Sequence, residues 1–268
     1  MTKNLKREIN FAIYAIKKNI QSSAELRTSF WMNVFGMMIN NVSFVLIWVF
    51  LIQTVGSIGG WSQADIFGLQ GFVALVFGIV YSIGAGLLQM PQIVPSGRLD
   101  QFLISPKNLL TRIATSSFGS SAVGDALFGV ICLMIYLFMI SATIIQIGMT
   151  LFLIIISVIT FTGVSIVIQS INFFFTDPEA VTRSVFELFF TPSLFHGGAF
   201  QGTTRFVFTF LVPSLLIGTL PVEAITQTSF SKMILLFILS IFWFMISLWV
   251  FKKAVRKYES ANFMTFGS

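Results

Sequence analysis

The chain has 268 residues, 56% of them hydrophobic and 10% charged, with a net charge of +6. A soluble domain averages about 25% charged residues, so the deficit excludes a surface that meets water on every side. The chain reads as an all-α, polytopic integral membrane protein, and its basic residues gather at the two ends and in one central stretch, a pattern of membrane topology and not of nucleic-acid binding.

The first element expected is a helix over residues 3–29. Leu5, Ile9, Ile13, Ile16 and Ile20 recur at spacings of three and four, while Lys3, Lys6, Arg7, Lys17 and Lys18 lie mostly off that face. Such a helix suits the membrane interface, its lysines beside anionic lipid heads; the alternative is a solvated helix packed on a partner. Residues 1–30 are therefore set apart as an amphipathic interfacial segment. They hold too many charges over too great a length for the basic leader of a signal peptide.

The first span is expected from Trp31 to Val55, about 37 Å of helix, enough to cross a core about 30 Å thick with tilt. A loop with Gly59, Gly60, Trp61 and Asp65 follows, without Lys or Arg. The second span is expected over Ile66–Leu88. Between Ile113 and Phe175 only Asp125 is charged, a length of about 94 Å if wholly helical, which suits two crossings. A break near SATIIQIG, 141–148, sets the third span at Ile113–Ile140 and the fourth at Ile147–Phe175. Asp177 is expected as an N-cap, with Pro178 in the first helical position and Glu179 in the first turn. The last span is expected over Met233–Phe251, followed by a tail at 252–268.

Thirteen of the sixteen Lys and Arg fall in the N-terminal segment, in the stretch after the second span and in the tail. The positive-inside rule makes these three regions cytoplasmic. Both termini are then inside and the number of crossings is even. Two apolar stretches, 178–200 and 203–221, share one net crossing. Either the first is interfacial and the second spans, or the first spans and the second enters and returns. Pro192, Pro213, Pro221 and Gly197–Gly198 point to broken helices, which survive at membrane depth only where protein or a cavity surrounds them.

The polar stretch GRLDQFLISP, 97–106, sits between the second and third spans. Leu99, Phe102 and Leu103 share a face at i, i+3, i+4. Gly97 and Pro106 bound a helix of about two turns, too short to span. It is either a docking knob for a cytoplasmic partner or an interfacial helix packed on its own domain.

IVPSGRLDQFLISP resembles the Ile-x-x-Gly-x-Leu-Asp-x-x-Leu-x-x-Pro stretch of membrane permeases of the ABC-2 class of ATP-binding-cassette transporters. The matching positions are Ile93, Gly97, Leu99, Asp100, Leu103 and Pro106, with one extra residue between Ile93 and Gly97. The order INFFFTDPEAV, TPSLF, FLVPSLLIGTLPVEAI and the layout of an amphipathic helix followed by spans are similar as well. HGGAFQGTT, before Arg205, departs from the family pattern. The resemblance implies six spans, a cytoplasmic coupling helix at about 96–106, a fifth span at 178–200 and an outer re-entrant hairpin at about 203–222. It also implies an exporter in a cell membrane, the bacterial cytoplasmic membrane, with the path formed between this chain and a second permease, identical or homologous. A separate ATP-binding subunit would hold ATP and Mg. Gly97, Arg98, Leu99, Asp100, Phe102 and Leu103 would couple to it, Leu99 and Phe102 as the apolar knob and Arg98 and Asp100 as the polar rim.

Within the spans, Ser117, Ser121 and Asp125 stack at i, i+4 spacing, as do Ser116, Ser120 and Gly124. The first reading is a small-residue packing seam with a hydrogen-bonded Asp125; the second is a cavity or gate. Asn33 and Asn40, seven apart, either line a path or bond across to a neighbouring helix, as could Asn41. The lone His196 has no carboxylate or thiolate nearby in sequence for a metal site, and the single Cys132 has no cysteine to pair with. No phosphate-binding loop, His-Glu-x-x-His or Gly-x-Ser-x-Gly is present, so no cofactor is expected on this chain. An ATP-independent secondary transporter or channel is the rival reading, and a lipid-modifying enzyme built on Asp177, Glu179, Arg183 and Glu187 a weaker one.

Overall fold

The computed structural model describes residues 2–258, and side chains from residue 6 onward. Residues 259–268 of the expected tail lie outside it, as do the side chains of Lys3 and Leu5. The described residues form helices and no strand; one isolated bridge pairs Ile58 with Trp61.

Helix α1 (Thr2–Glu25) leaves Ile9, Ile13 and Ile20 exposed, so its apolar face is not used by the rest of the chain. Leu26 interrupts the helix, and α2 (Arg27–Val55) follows. Helix α3 (Gln63–Ile83) starts at a capping box in which Ser62 and Asp65 satisfy each other's backbone amides. Gly84 ends it, and a 3-10 turn over Ala85–Gln89 leads into α4 (Met90–Ile93). The short α5 (Asp100–Leu103) and α6 (Leu109–Ala114) precede α7 (Ser120–Met139) and α8 (Ile144–Ser170). The chain then forms α9 (Glu179–Ser193), α10 (Gly202–Phe206), a π-helical turn over Val207–Leu211, α11 (Thr219–Thr226) and α12 (Phe230–Val255).

Among the described residues five helices are long and apolar enough to cross a membrane: Arg27–Val55, Gln63–Ile83, Ser120–Met139, Ile144–Phe173 and Phe230–Val255. The third differs from expectation, because α7 starts at Ser120 and not at Ile113. The hydroxyls of Thr115 and Ser116 donate back to the carbonyls of Thr111 and Ile113, and Gly119 is extended. Side-chain bonds of this kind compete with helix propagation. Asp125 is therefore only about 7 Å along its helix, not deep within it.

The expected span at 178–200 is not among the five. Its helical part, α9, has 15 residues, about 22 Å, short of a hydrocarbon core about 30 Å thick. Asp177 does not cap it: Pro178 holds the N-cap position without a side-chain hydrogen bond. Beyond α9 the chain is broken, as its prolines and glycines suggested. The Leu216 carbonyl accepts from Ser157, midway along α8. The Ile225 carbonyl accepts from Gln146, at the start of α8. Residues 202–226 thus run into the bundle and return to the same end.

The most extensive helix interface joins α3 and α7. A Cβ on Gly78 would lie 2.3 Å from the Ala126 nitrogen and 2.7 Å from the Ala122 carbonyl; one on Gly129 would lie 2.4 Å from the Leu75 nitrogen. Small residues let these backbones touch. Two apolar cores result. The larger is centred on α3, α7 and α8; the smaller holds Leu87, Met90, Leu99, Ile113, Phe173 and Phe251 at the end where the polar insert lies.

Gly78→Ala is expected to destabilise the purified protein by about 1–3 kcal/mol through overpacking. Gly148, with open space around it, should tolerate Ala or gain up to about 1 kcal/mol. Unfolding of both variants in denaturant measures the contrast.

Candidate functional site

The insert is built to be stiff. Gly97 sits at a φ of 72°, a left-handed conformation that favours glycine, and turns the chain so that Leu99 faces the bundle. Turn bonds from Asp100 N–H to the Gly97 carbonyl and from Phe102 N–H to the Leu99 carbonyl extend α5 backwards. Together they make about two turns.

From α6, the Arg112 guanidinium donates to the carbonyls of Phe102 and Gln101 and lies over the Phe102 ring. A cation on the free carbonyls of a helix C-terminus satisfies them and complements the helix dipole. Asn108 caps α6 by accepting from the Thr111 amide. Helix α1 braces the same region. Glu8 accepts from the Asn108 amide, Lys107 lies over the Phe11 ring, and Asn19 donates to the Thr115 carbonyl at 2.8 Å. Behind the insert, Tyr258 feels the Asp100 carboxylate; burial first, then that neighbour, pushes its hydroxyl up to about 12.

This geometry corrects the assignment of Leu99. It is wholly buried among Met90, Ile93, Ile113 and Phe251 and is not a knob offered to a partner. Phe102 is half-buried against the same core and under Arg112. The apolar side chains that point away are Leu103, 45% exposed, and Ile104, 85% exposed; Ile104 had been passed over because it falls off the 99/102/103 face. Arg98 is exposed as well. Arg112 and Tyr258 were also missed, because the contacts that give them a role cross Pro106 or join distant parts of the chain.

A second constellation lies within the bundle. Asn41 donates to Oδ1 of Asp125 at 2.6 Å. Asn33 donates to Ser120 at 3.2 Å, and Gly124 meets the Val34 backbone. So α2 and α7 are joined by a polar seam that uses Ser120, Gly124 and Asp125. Ser121 does not belong to it; it is exposed. Asn40 is not part of the seam; it is exposed, with only a weak contact to the Met37 sulfur. Asn41 shares the phase of the buried Val34, Val45 and Ile52, spacings of three to four residues or their multiples, and that signal could have singled it out. Beside the seam lies a cavity of about 380 Å3 lined by residues of α2, α3, α7 and α9, among them Asn40, Asn41, Gln70 and Asp125.

At the end away from the insert, Glu223 joins Arg205 at 2.7 Å and Lys232 at 3.0 Å. Thr226 donates to Asp65 and meets the Tyr136 hydroxyl. His196 is buried against Trp48, Trp61 and Gly59. Arg183 and Glu187 form an exposed i, i+4 pair. No group of three or more His, Cys, Asp or Glu that could hold a metal occurs among the described residues.

A model of the family described as ABC-2 family transporter protein matches residues 37–262. No curated protein and no solved structure matches the chain.

Two outcomes follow for the insert. Arg112→Ala should free the end of α5, and amide hydrogen exchange at 102–107 should quicken while that of α7 stays unchanged. The tyrosinate absorbance lost in Tyr258→Phe should titrate near 12 in the wild type, and Asp100→Asn should lower that midpoint, because a nearby negative charge opposes ionisation.

Proposed function

Because the chain belongs to the ABC-2 family of transporter proteins, we propose that it is the permease of an ATP-binding-cassette exporter whose insert rests on a separate ATP-binding subunit. One observation carries this reading. The insert is anchored inward by Leu99 and clamped by Arg112, yet it leaves Leu103 and Ile104 exposed, and Arg98 exposed on the same insert. A short apolar tip with a charged edge suits a cleft in a protein partner, where a few buried anchors supply most of the binding energy.

In this reading the insert end of the bundle is cytoplasmic, as the positive-inside rule requires of Arg98, Lys107, Arg112, the lysines of α1 and Lys252 and Lys253 in the last turn of α12. The exposed face of α1 lies in the inner interface. The chain crosses once between Phe173 and Phe230, by α9 and the stretch that carries it to His196. Residues 202–226 are then a re-entrant hairpin from the outer side, its polar tip held by Ser157 and its mouth by the Glu223 pairs.

ATP-driven closure of two nucleotide subunits would push on two inserts. Each insert hangs between α3 and α7, the pair with the least freedom to slide. The push therefore moves these helices as a unit and opens a path between two permeases. The exposed apolar faces of α2 and α12 are available to the second copy and to lipid.

Ile104→Asp is expected to leave folding intact, since the side chain touches little of its own chain, while association with the ATP-binding subunit and ATP-driven transport fall by about tenfold or more. Leu99→Asp should instead lower thermal stability. Undiminished association in Ile104→Asp would overturn the docking role of the insert tip, and transport by the purified chain in vesicles without ATP would replace this reading with the secondary-transporter one.

A further inference from the structure

The polar groups of the intramembrane cavity are unevenly matched. Asp125 is 4% exposed. Its Oδ1 accepts from Asn41, whereas its Oδ2 has no hydrogen-bond partner among the described residues. Gln70, which also lines the cavity, places its amide nitrogen on the Leu194 carbonyl at 3.1 Å. Of the polar atoms that line the cavity, the one buried without a partner among the described residues is a carboxylate oxygen.

A carboxylate buried this fully is strongly disfavoured unless it is paired. The groups around it are aromatic: Phe44, Phe77, Phe128 and Phe190 line the same cavity. Ring faces attract cations, more so away from water. The volume, about 380 Å3, falls in the range of small-molecule sites. The cavity is also elongated. Gly78 of α3 packs at the level of Ala122 and Ala126, beside Asp125, and Gln70 lies eight residues away on the same helix, about 12 Å along its axis.

From these observations we propose that the cavity is a binding site for an organic ammonium ion with an apolar body, its N–H donating to Oδ2 of Asp125 and its body lying along the phenylalanine rings toward Gln70. This deepens the transporter reading and rests on it for the route by which the ligand enters and leaves. A bare metal cation does not suit the site, which offers one carboxylate and a mainly apolar wall. An anion would meet the Asp125 charge. A neutral lipid tail would leave Oδ2 without a donor.

The test uses the full chain in nanodiscs of zwitterionic phosphatidylcholine. Octylammonium, octanol and octanoate are titrated by calorimetry against the wild type, Asp125→Asn and Ala74→Phe, the last placing a ring in the cavity without touching the carboxylate. Octylammonium is expected to saturate one site per chain in the wild type and to bind about tenfold or more weakly in each variant, in Asp125→Asn through loss of a buried charge pair and in Ala74→Phe through loss of the space that holds the apolar body. Octanol and octanoate are expected to show no saturable site. Equal binding of octanol, or octylammonium binding that neither variant changes, overturns the proposal; the wild-type comparison of the three probes decides it even if a variant fails to fold. Association with the ATP-binding subunit is measured on the same nanodiscs. Its absence in the wild type sinks the transporter reading and leaves the ammonium result standing. Its presence without ammonium binding sinks this proposal alone.

Discussion

Gly78 leaves no room for a methyl group between α3 and α7, and the rest of the structure is arranged around that contact. Two backbones this close cannot slide without opening a void or forcing a clash, because packed interiors are bistable and not continuously deformable. The insert leaves from the end of α3 and returns to the start of α7. A force on it is therefore delivered to the stiffest unit of the bundle. A looser pair, separated by leucines, would absorb the same force in side-chain rotations. The seam also fixes Asp125, which lies on α7 one turn from Ala122, and so ties the cavity to the same unit.

Away from water, each polar group at depth has to find its partner within the protein, and the molecule meets this in three ways. Regular helices satisfy their own backbones, with capping boxes at Ser62 and Thr143 closing the exposed starts of α3 and α8. Hydroxyls bridge helices in the middle of the bundle, as Tyr81 with Ser165 and Thr160 with Ser240. In the broken stretch, residues 213–222 are buried and α11 packs against α3, α8 and α12, while Arg205 and Glu223 neutralise each other. Five side chains among the described residues keep a buried polar atom without a hydrogen-bond partner, and Asp125, with one oxygen bonded and one open, is the carboxylate among them. A carboxylate left half-satisfied is the costliest of these, and helix packing alone offers no reason to keep it.

The insert shows how one short sequence can serve two surfaces. Its apolar residues are too many for a free loop and too few for a span. Leu99 is used inward, holding the insert to the smaller core, and Leu103 and Ile104 are left outward. An anchor without a tip would be an interfacial ornament, and a tip without an anchor would yield when pushed. Arg112 joins the two roles by binding the carbonyls at the end of α5 and covering Phe102.

Composition, periodicity and charge in the sequence determined that this is a helical membrane protein, roughly where its long helices lie, that the chain breaks after α9, and that residues 97–106 form a short separate element. Those properties are local or additive: a helix needs only a run of suitable residues and a cap, and a membrane segment only enough apolar length. Tertiary structure alone decided the directions. It turned Leu99 inward and Ile104 outward, chose Asn41 over Asn40 as the partner of Asp125, left Ser121 outside the seam, started α7 at Ser120 and shortened α9. Each of these depends on the rotation of one helix against another. A side chain's spacing from its own neighbours says which face it shares, but only the packed partner says whether that face is covered.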